Sequence, residues 1–506
     1  MARGGPGVVP RDSNAGPDIA ILRRELAEAP DGERLNPLGL GRVVTGAGAV
    51  DGLADVVADL ARPGGEVVVL AAATSMTAAG HDLQTLVEEA LGDRFAVRWV
   101  VVGPAGRPGS NDVHADEPTV AAAAASAADA DCVVTVGSGT VTDIGKAAAP
   151  GGATLVAVQT ATSVNGYADP FSVLLRRGVK RTTPSRWPDA LVIDQAVLQD
   201  APAELNRAGA GDLMAMFTAT ADWYLAWAME PARGPASPQP DPHPGDPPYH
   251  PSVAGLALAR GERLIGLAPR LGAGPDPASL AELAGMLTLS GIAMGVAGST
   301  APSSGMEHAV SHLLEMAATA RGRPASFHGA QVGVASVVAA RTWAHVLRVI
   351  GDGGLDRDAG LPDPDAVRDR IGRAFAAIDP GGSMAAECFE GYARKLRRLA
   401  SANPGAPLAA LRSSWPAHRA ALDAMLIDPG ALAGALRSAG LPARFGDLAE
   451  PVDEATARWA VANCPLLRQR FGVADLATLL GAWEEADVDE VLAAPSSACG
   501  SPAGQP

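Results

Sequence analysis

The sequence predicts a two-part fold, in which an α/β domain with a mostly parallel sheet precedes an all-α domain. Between residues 42 and 194, continuous apolar runs rich in valine alternate with helical patterns. Such strands indicate a parallel sheet that helices cover on both faces. Beyond about residue 205 the strand pattern ends and the helical spacing of apolar residues continues. With 506 residues, 47% of them hydrophobic, each part can bury a core.

The elements of the first part follow in regular order. We predict strands where apolar and β-branched residues run together, and helices where apolar residues recur every three to four positions. The predicted strands are residues 42–46, 66–71, 95–102, 131–136, 153–158 and 190–194, with a hairpin at 171–183. The predicted helices are residues 49–61, 79–91, 119–128 and 140–149.

The second part is predicted to be helical throughout. Besides a helix around His308, its predicted helices are residues 253–267, 278–297, 333–349, 365–376, 385–402, 407–423 and 455–466. The run 231–251 contains so many prolines that we expect an exposed insertion there. The predicted organisation is an N-terminal extension (1–35) with one short helical pattern at 19–28, the α/β domain (36–205), the helical domain (206–492) and a disordered tail (493–506).

Composition excludes several classes of partner. The net charge of −16 without a cluster of Lys and Arg argues against nucleic acid and anionic membranes. Four cysteines, none in CxxC spacing, suggest neither a zinc knuckle nor a disulfide framework, and fit a reducing compartment. The N-terminus lacks the apolar core of a signal peptide, and the apolar runs are broken before they reach membrane length. We therefore expect a soluble cytoplasmic protein.

Histidines in the second part form a candidate metal centre. His308 and His312 are four residues apart, so they share one face of a helix, and His328 can arrive from the next segment. Asp212 lies in the run Ala208-Gly-Ala-Gly-Asp-Leu213, which we interpret as a Gly-rich turn at the head of a helix. One carboxylate and two imidazoles are the ligand set of a catalytic divalent metal. The alternative is a partly buried helix whose imidazoles are simply hydrogen-bonded.

A glycine turn in the first part is a candidate phosphate site. Gly137-Ser-Gly139 joins an apolar strand to a helix, where backbone N–H groups can approach a dinucleotide pyrophosphate. Tight turn geometry alone is the alternative, since the GxGxxG pattern is incomplete. The next strand ends in Gln159-Thr-Ala-Thr-Ser-Val-Asn-Gly166, whose small polar side chains indicate either ligand binding or an ordinary polar loop.

Together these motifs resemble the sn-glycerol-1-phosphate dehydrogenases, within the superfamily of iron-containing alcohol dehydrogenases, glycerol dehydrogenases and dehydroquinate synthases. The resemblance covers roughly residues 38 to 480. The runs that carry it are Gly137-Ser-Gly-Thr-Val-Thr-Asp-Ile-Gly-Lys146, Ala161-Thr-Ser-Val-Asn-Gly-Tyr-Ala168, Gly178-Val-Lys180, Ala208-Gly-Ala-Gly-Asp-Leu213, Ala221-Asp-Trp223, Ser304-Gly-Met-Glu-His-Ala-Val-Ser-His312, His328-Gly-Ala-Gln-Val-Gly-Val334 and Arg468-Gln-Arg-Phe-Gly-Val-Ala-Asp-Leu476.

The resemblance implies a dehydroquinate synthase-like fold with a catalytic metal between an N-terminal dinucleotide-binding domain and a helical domain. The implied metal ligands are Asp212, His308 and His328, with His312 as a neighbour. The implied cofactor, NAD or NADP, would lie along Gly137, Ser138, Gly139, Thr140, Asp143, Lys146, Thr160 and Ser163. The implied metal is divalent, with zinc ahead of iron or nickel.

Two positions depart from the family pattern. Asn165 stands where the family usually has Asp, and an amide cannot act as a general base. Ala301 stands where the family usually has Arg, a natural phosphate partner. Lys180, or Ser303 and Ser304 at a helix start, would have to replace that arginine. The candidate catalytic residues are Asn165 and Lys180. The two departures from the family pattern put a phosphorylated substrate in question.

Three hypotheses follow. The first is a metal-dependent NAD(P)H oxidoreductase acting on a small carbonyl compound, by default dihydroxyacetone phosphate and sn-glycerol 1-phosphate. The second is a non-redox lyase or cyclase of the dehydroquinate synthase kind. One observation argues against it, because that branch has Glu at the position of Asp212. The third is a cofactor-binding protein without turnover. The expected partner is a small molecule, phosphorylated or not, and a homo-oligomer is left open.

Overall fold

The computed structural model describes residues 17–62, 64–103, 113–229, 249–356, 360–402 and 406–493. Residues 494–506 of the predicted tail and residues 231–248 of the predicted insertion lie outside the described residues.

The first part is built on one parallel sheet. The strands of the described chain are β1 Arg42–Gly46, β2 Glu66–Ala71, β3 Thr77–Ala78, β4 His81–Asp82, β5 Ala96–Val101, β6 Cys132–Gly137, β7 Thr154–Gln159, β8 Phe171–Arg176, β9 Val179–Pro184 and β10 Ala190–Asp194. Six of them form the sheet β1-β10-β7-β6-β2-β5, in which every pairing is parallel. Strand β6 is buried along its whole length, as expected of a strand covered on both faces.

The helices of the first part cover this sheet. They are α1 Ile19–Ala27, α2 Leu53–Leu60, α3 Leu83–Gly92, α4 Glu117–Ser126, α5 Gly139–Ala148 and α6 Gln195–Asp200. One prediction needs correction, because residues 79–82 are not helical. Strands β3 and β4 form a small hairpin there, and Ala79 (φ 51°) and Gly80 (φ 79°) adopt left-handed backbone that a helix excludes. Asp82 then caps α3 by accepting the Thr85 N–H at 2.8 Å.

After Asp194, all regular structure in the described chain is helical. The remaining helices are α7 Ala203–Leu213, α8 Met216–Met229, α9 Pro251–Leu258, α10 Gly261–Ala273, α11 Pro277–Ala297, α12 Met306–Ala320, α13 His328–Gly351, α14 Pro364–Phe375, α15 Ser383–Ala402, α16 Ala409–Ser413, α17 Trp415–Asp423, α18 Pro429–Ser438, α19 Glu454–Leu467, α20 Val473–Leu479 and α21 Glu485–Leu492. The sheet followed by a helical region confirms the predicted fold class.

Two predicted helices are broken in two. The segment 253–267 divides into α9 and α10, and α10 begins at Gly261, where a Cβ would lie 2.6 Å from the ring of Phe217. The segment 407–423 divides at Ser414, where Pro416 opens α17. A third helix is longer than predicted, because α13 begins at His328 rather than Gly333.

The Gly-rich run before Asp212 is not a turn at the head of a helix, as the sequence suggested. It forms the C-terminal half of α7, and its glycines permit close packing. A Cβ at Gly211 would lie 2.2 Å from the carbonyl oxygen of Gly329 on α13, and one at Gly209 would lie 2.0 Å from that of Thr162. The glycines therefore bring α7 against α13, which sets Asp212 beside His328.

The described end of the N-terminal extension packs into the core. Ile19, Leu22 and Leu26 of α1 are buried and share a hydrophobic cluster with residues of both the sheet and the helical part, among them Leu191 and Leu280. Because this cluster spans both parts, they are joined by a common core. The boundary near residue 205 remains a prediction.

Helix α11 is long and apolar enough, by length and composition, to cross a membrane. However, 78% of its most apolar window is buried inside the structure. The core helix of a soluble protein has the same character.

Candidate active site

A cavity of about 400 Å³ opens at the carboxyl ends of β6 and β7 and extends to the helices of the second part. Ligands of open α/β sheets bind at this edge. The cavity is lined by many of the predicted site residues, namely Ser138, Gly139, Thr140, Asp143, Ser163, Asn165, Lys180, Asp212, His308 and His328, together with His312.

Asp212, His308 and His328 meet in this cavity. One ligand atom from each lies within 4.8 Å of the others. The Oδ1 atom of Asp212 is 3.4 Å from Nε2 of His308 and 3.9 Å from Nε2 of His328. This oxygen is buried without a hydrogen-bond partner, whereas Oδ2 accepts the Asn165 N–H at 3.2 Å. A buried carboxylate oxygen that faces two imidazole nitrogens fits a divalent cation between them.

Both imidazoles are held by carboxylates on their other nitrogen. Nδ1 of His308 is 3.1 Å from Oε1 of Glu307, and Nδ1 of His328 is 2.9 Å from Oε1 of Glu315. In metal sites such a carboxylate fixes the tautomer and leaves Nε2 to bind the metal. Burial lowers the pKa of His308, but the carboxylates of Asp212 and Glu307 outweigh burial and raise it. His308 therefore lies in a negative environment that would attract a cation.

His312 lies beside His308 and His328 and also lines the cavity. Its ring centroid is 6.3 Å from that of His308 and 5.6 Å from that of His328. Burial lowers its pKa well below the ordinary value, and the nearby charges of Arg468 and Lys180 lower it further. His312 is therefore a neutral imidazole at neutral pH.

The glycine turn ends β6 and begins α5. Ser138 is the N-cap residue, but its side chain makes no capping hydrogen bond, so it does not occupy the N–H groups of the first turn. A Cβ at Gly139 would lie 2.6 Å from Val164, and one at Gly137 would lie 2.7 Å from Val141. Ser138, Gly139 and Thr140 all line the cavity. A helix N-terminus exposed in this way fits a phosphate group.

Asp143 lines the cavity, and Lys146 lies directly behind the cavity wall. The Lys146 side chain is fully buried, and its ammonium pairs with Asp143 and Asp169, each at 2.9 Å, and donates to the carbonyl oxygens of Gly166 and Phe171. The resemblance implied that Lys146 lies toward the cofactor, and its four partners do line the cavity, although Lys146 itself does not. Burial raises the pKa of Asp169 to about 6 despite Lys146. Lys146 thus anchors the loop before β8.

Thr160 is also behind the cavity wall. It is buried next to Tyr167, whose hydroxyl donates to the carbonyl oxygen of Gly137 at 3.3 Å. Ser163 and Asn165, farther along the same loop, do line the cavity. The Asn165 amide donates to Ser290 Oγ at 3.1 Å, and Ser290 in turn contacts Ser303 Oγ at 2.9 Å. These contacts fix the Asn165 side chain, while its backbone N–H donates to Oδ2 of Asp212.

The groups suggested as phosphate partners have partners in the protein. The Lys180 ammonium forms an ion pair with Glu315. The start of α12 is occupied by carboxylates, since the Gly305 N–H donates to Glu307 and the Met306 N–H donates to Asp222 at 2.9 Å. Negative charge at a helix start competes with a bound phosphate. The expectation that this helix start replaces the missing arginine is therefore not supported.

Two arginines approach the same loop from beyond α19. Arg468 donates to the hydroxyl of Ser304 at 2.9 Å, and Arg470 donates to the carbonyl oxygen of Ser304 at 2.7 Å and to Ser299 Oγ at 3.0 Å. Ser304 lines the cavity. The loop that carries the buried Ala301 is thus flanked by positive charge from another segment.

Comparison with known proteins agrees with this architecture. Residues 44–202 match the family model described as iron-containing alcohol dehydrogenase. The chain is 29% identical over 336 residues to the glycerol-1-phosphate dehydrogenase [NAD(P)+] of Hyperthermus butylicus, covering 65% of this chain and 87% of the relative. It is 30% identical over 299 residues to the enzyme of that name from Geobacillus stearothermophilus, covering 54% of this chain and 69% of the relative.

Solved structures show the same fold. A probable glycerol dehydrogenase from Sinorhizobium meliloti aligns with a TM-score of 0.51 at 18% identity, covering 89% of this chain and 97% of that one. A 1,3-propanediol oxidoreductase aligns with a TM-score of 0.50 at 16% identity, covering 90% and 98%.

The chain belongs to the glycerol-1-phosphate dehydrogenase family. This family lies within the iron-containing alcohol dehydrogenases, so the protein is an NAD(P)-dependent oxidoreductase of the metal-containing type. The resemblance inferred from the motifs is confirmed.

Several residues of this family member were missed by sequence reasoning. Glu307 and Glu315, which hold the two imidazoles, were not assigned a role, although Glu307 adjoins His308 and Glu315 lies two helical turns farther along α12. Helical spacing would have found both. Arg468 and Arg470 carried the family resemblance, but their contacts with Ser304 join distant segments and could not be read from the sequence.

Proposed function

We propose that this chain reduces dihydroxyacetone phosphate to sn-glycerol 1-phosphate, and catalyses the reverse reaction, with NAD(P) and one divalent metal. The observation that carries the proposal is the convergence of Asp212 Oδ1 with Nε2 of His308 and of His328 in a cavity that also reaches the start of α5. The names of the relatives supply glycerol 1-phosphate, and dihydroxyacetone phosphate is the ketone that oxidation of its secondary alcohol gives.

Asp212, His308 and His328 would hold the metal. Zinc is the first candidate, with iron or nickel as alternatives, because carboxylate and imidazole ligands suit all three. A divalent metal at this position acts as a Lewis acid that polarises the substrate oxygen. Glu307 and Glu315 keep both imidazoles in the tautomer that presents Nε2.

Gly137, Ser138, Gly139 and Thr140 would bind the pyrophosphate of the cofactor at the start of α5. A nicotinamide cofactor supplies the hydride. Asp143 and Ser163 line the cavity between this turn and the metal ligands, in a position to contact the cofactor. Lys146 and Thr160 support this wall from behind.

Proton transfer cannot use Asn165, because its amide does not titrate. Asn165 instead supports the metal ligand through its N–H bond to Asp212 Oδ2. We assign the proton to His312, a neutral imidazole that faces the cavity. When the alcohol is oxidised, neutral His312 would accept the proton of its hydroxyl group; when the ketone is reduced, His312 would take a proton from water and pass it to the substrate oxygen.

The positive charges near His312 support an anionic substrate. Arg468 lowers the pKa of His312 and reaches the cavity wall at Ser304, whereas Lys180, which also lowers this pKa, pairs with Glu315. We propose that this end of the cavity takes the phosphate in place of the arginine replaced by Ala301. The substrate is a small molecule, and on cysteine usage and charge we assign the enzyme to the cytoplasm, with no nucleic-acid or membrane partner.

The test is the oxidation of NADH and NADPH, followed at 340 nm, by the zinc-loaded protein with dihydroxyacetone phosphate or dihydroxyacetone. We expect turnover with the phosphorylated ketone, a kcat/KM at least about tenfold lower without the phosphate, and no turnover by His328→Ala. Equal kcat/KM for both ketones would refute the phosphate assignment. No turnover with either, in a protein that binds zinc and cofactor, would favour a non-redox enzyme or a binding protein.

A further inference from the structure

Lys180, Glu315 and His328 form a chain of contacts across three elements. Lys180 lies on β9 of the hairpin, Glu315 lies on α12, and His328 opens α13. Oε1 of Glu315 is 2.9 Å from Nδ1 of His328, and the Lys180 ammonium pairs with Oε2 of the same carboxylate. Each oxygen of Glu315 thus has its own partner, one on the hairpin and one at the metal centre.

We propose that Lys180 and Glu315 are a positioning pair, through which the hairpin β8–β9 holds the His328 imidazole ready for the metal. The inference rests on the proposed metal centre, but it concerns residues to which no role has been assigned in metal binding. Lys180 acts through Glu315, and Glu315 acts through the Nδ1 atom of His328.

Burial explains why the carboxylate needs the lysine. The side chain of Glu315 is 9% exposed, whereas that of Lys180 is 31% exposed and that of His328 is 25% exposed. A buried carboxylate without a cation is strongly unfavourable, so loss of Lys180 leaves Glu315 uncompensated. Glu315 would then change its position, and it would no longer hold Nδ1 of His328 in the same way.

The other imidazole is held differently. Glu307, which holds His308, is bound by the Thr218 hydroxyl at 2.8 Å and by the Gly305 N–H, both in the helical part. In the described chain, the hairpin contacts one of these two carboxylates, Glu315, through Lys180. The His328 side of the metal centre is therefore the side that responds to the α/β part of the molecule.

The next residue of the hairpin provides a matched control. Arg181 pairs with Glu387 on α15 at 3.1 Å and donates to the carbonyl oxygen of Leu467 at 2.7 Å. This contact also fixes the hairpin to the helical part, but in the part of the chain that the structure describes it does not involve Glu307, Glu315 or the proposed metal ligands. Glu387→Gln weakens the attachment of the hairpin without touching Glu315.

The experiment measures zinc affinity by competition with a chromogenic chelator, for the full chain and its variants. We expect Lys180→Met and Glu315→Gln each to weaken zinc binding about 10- to 100-fold, and Lys180→Arg, which keeps the charge, to stay near the wild type. The double variant should bind zinc no more weakly than Glu315→Gln alone, because the lysine acts through the glutamate. Glu387→Gln should bind zinc like the wild type.

Several outcomes would overturn the inference. Wild-type zinc affinity in Lys180→Met would do so, as would additive losses in the double variant or an equal loss in Glu387→Gln. Thermal unfolding of the metal-free variants identifies any that do not fold, in which case Lys180→Arg and Glu315→Gln carry the comparison. A wild-type chain that binds no zinc contradicts the proposed function itself, whereas one that binds zinc and turns over while Lys180→Met binds equally well contradicts only the positioning pair.

Discussion

Buried carboxylates around α12 decide the chemistry of the site. Asp212 faces the proposed metal position, and Glu307 and Glu315 hold the two histidines beside it. A fourth, Asp222, accepts the Met306 N–H at the start of α12 and the Val473 N–H at the start of α20. It therefore joins the helix that carries His308 to the C-terminal segment that carries Arg468.

Asp222 should make stability depend on pH. Burial, with the nearby charge of Glu307, raises its pKa to about 8, although the two N–H groups act in the opposite direction. The folded chain therefore keeps a proton that the unfolded chain has lost above about pH 4. This contribution to stability is complete below about pH 4 and is lost as the pH rises through about 8. We expect Asp222→Asn, which cannot ionise, to lose less stability than the wild type between about pH 5.5 and 8.

Urea unfolding across this pH range measures the effect. Asp453→Asn is the control, because Asp453 is an exposed helix cap that accepts the Thr456 N–H at 2.8 Å and does not titrate in this range. A pH slope in Asp222→Asn equal to that of the wild type would contradict the assignment.

At the residue scale, the sequence predicted the identity of site residues better than it predicted their contacts. The spacing of the histidines suggested a metal centre, and the family resemblance supplied the set Asp212, His308 and His328 that the structure brings together. The burial of Lys146 was not predictable, because it depends on how the loop before β8 folds over α5. The residues around Lys146 in the sequence do not distinguish a lysine that faces a ligand from one that is buried in the core.

At the scale of elements, the approach of α7 to α13 sets the metal centre. Gly211 and Gly329 lie in contact, so Asp212 at the end of α7 meets His328 at the start of α13. The sequence suggested a Gly-rich turn at the head of a helix here, and glycine inside a helix normally destabilises it by about 0.5–1 kcal/mol relative to alanine. The tertiary contact overrides that preference.

Gly211→Ala tests this packing. Helix propensity alone would stabilise α7, but the new Cβ would lie 2.2 Å from the Gly329 carbonyl oxygen, so α7 and α13 must separate. We expect a lower melting temperature and a zinc affinity at least about tenfold weaker, measured by calorimetry and chelator competition. Gly372→Ala is the matched control, since Gly372 lies in α14 with open space around it. Its melting temperature should not fall, and equal losses in both variants would show that the contact with α13 is not the cause.

Secondary structure was largely predictable at this scale, because buried parallel strands are continuous apolar runs. The order β1-β10-β7-β6-β2-β5 was not, since it pairs strands at opposite ends of the α/β part. The hairpin β3–β4 was missed because its residues also fit a helical pattern, and only the left-handed backbone at Ala79 and Gly80 excludes a helix.

At the scale of the whole molecule, the two parts share a core that α1 completes. Ile19, Leu22 and Leu26 pack with residues of the sheet and of α9 and α11. The sequence suggested that residues 1–35 form a separate extension, because low-complexity residues precede a single short helix. Their burial against distant elements could not be predicted from that segment alone.

Deletion of residues 1–35 should therefore destabilise the chain. Burying a large aliphatic side chain contributes about 1.5–3 kcal/mol, so the loss of Ile19, Leu22 and Leu26 should lower the free energy of unfolding by several kcal/mol. Thermal unfolding measures the change. Deletion of residues 1–16 keeps α1 and should leave the melting temperature near that of the full chain. Equal melting temperatures for all three proteins would contradict the shared core.

The account as a whole depends on one metal ion bound by Asp212, His308 and His328. The most direct test adds zinc stepwise to the metal-free chain and measures bound zinc and NAD(P)H oxidation with dihydroxyacetone phosphate in the same samples. We predict that turnover rises in proportion to bound zinc and stops rising at one ion per chain, and that Asp212→Asn shows neither tight binding nor turnover. Full turnover by the metal-free chain, or by Asp212→Asn, would contradict the central claim.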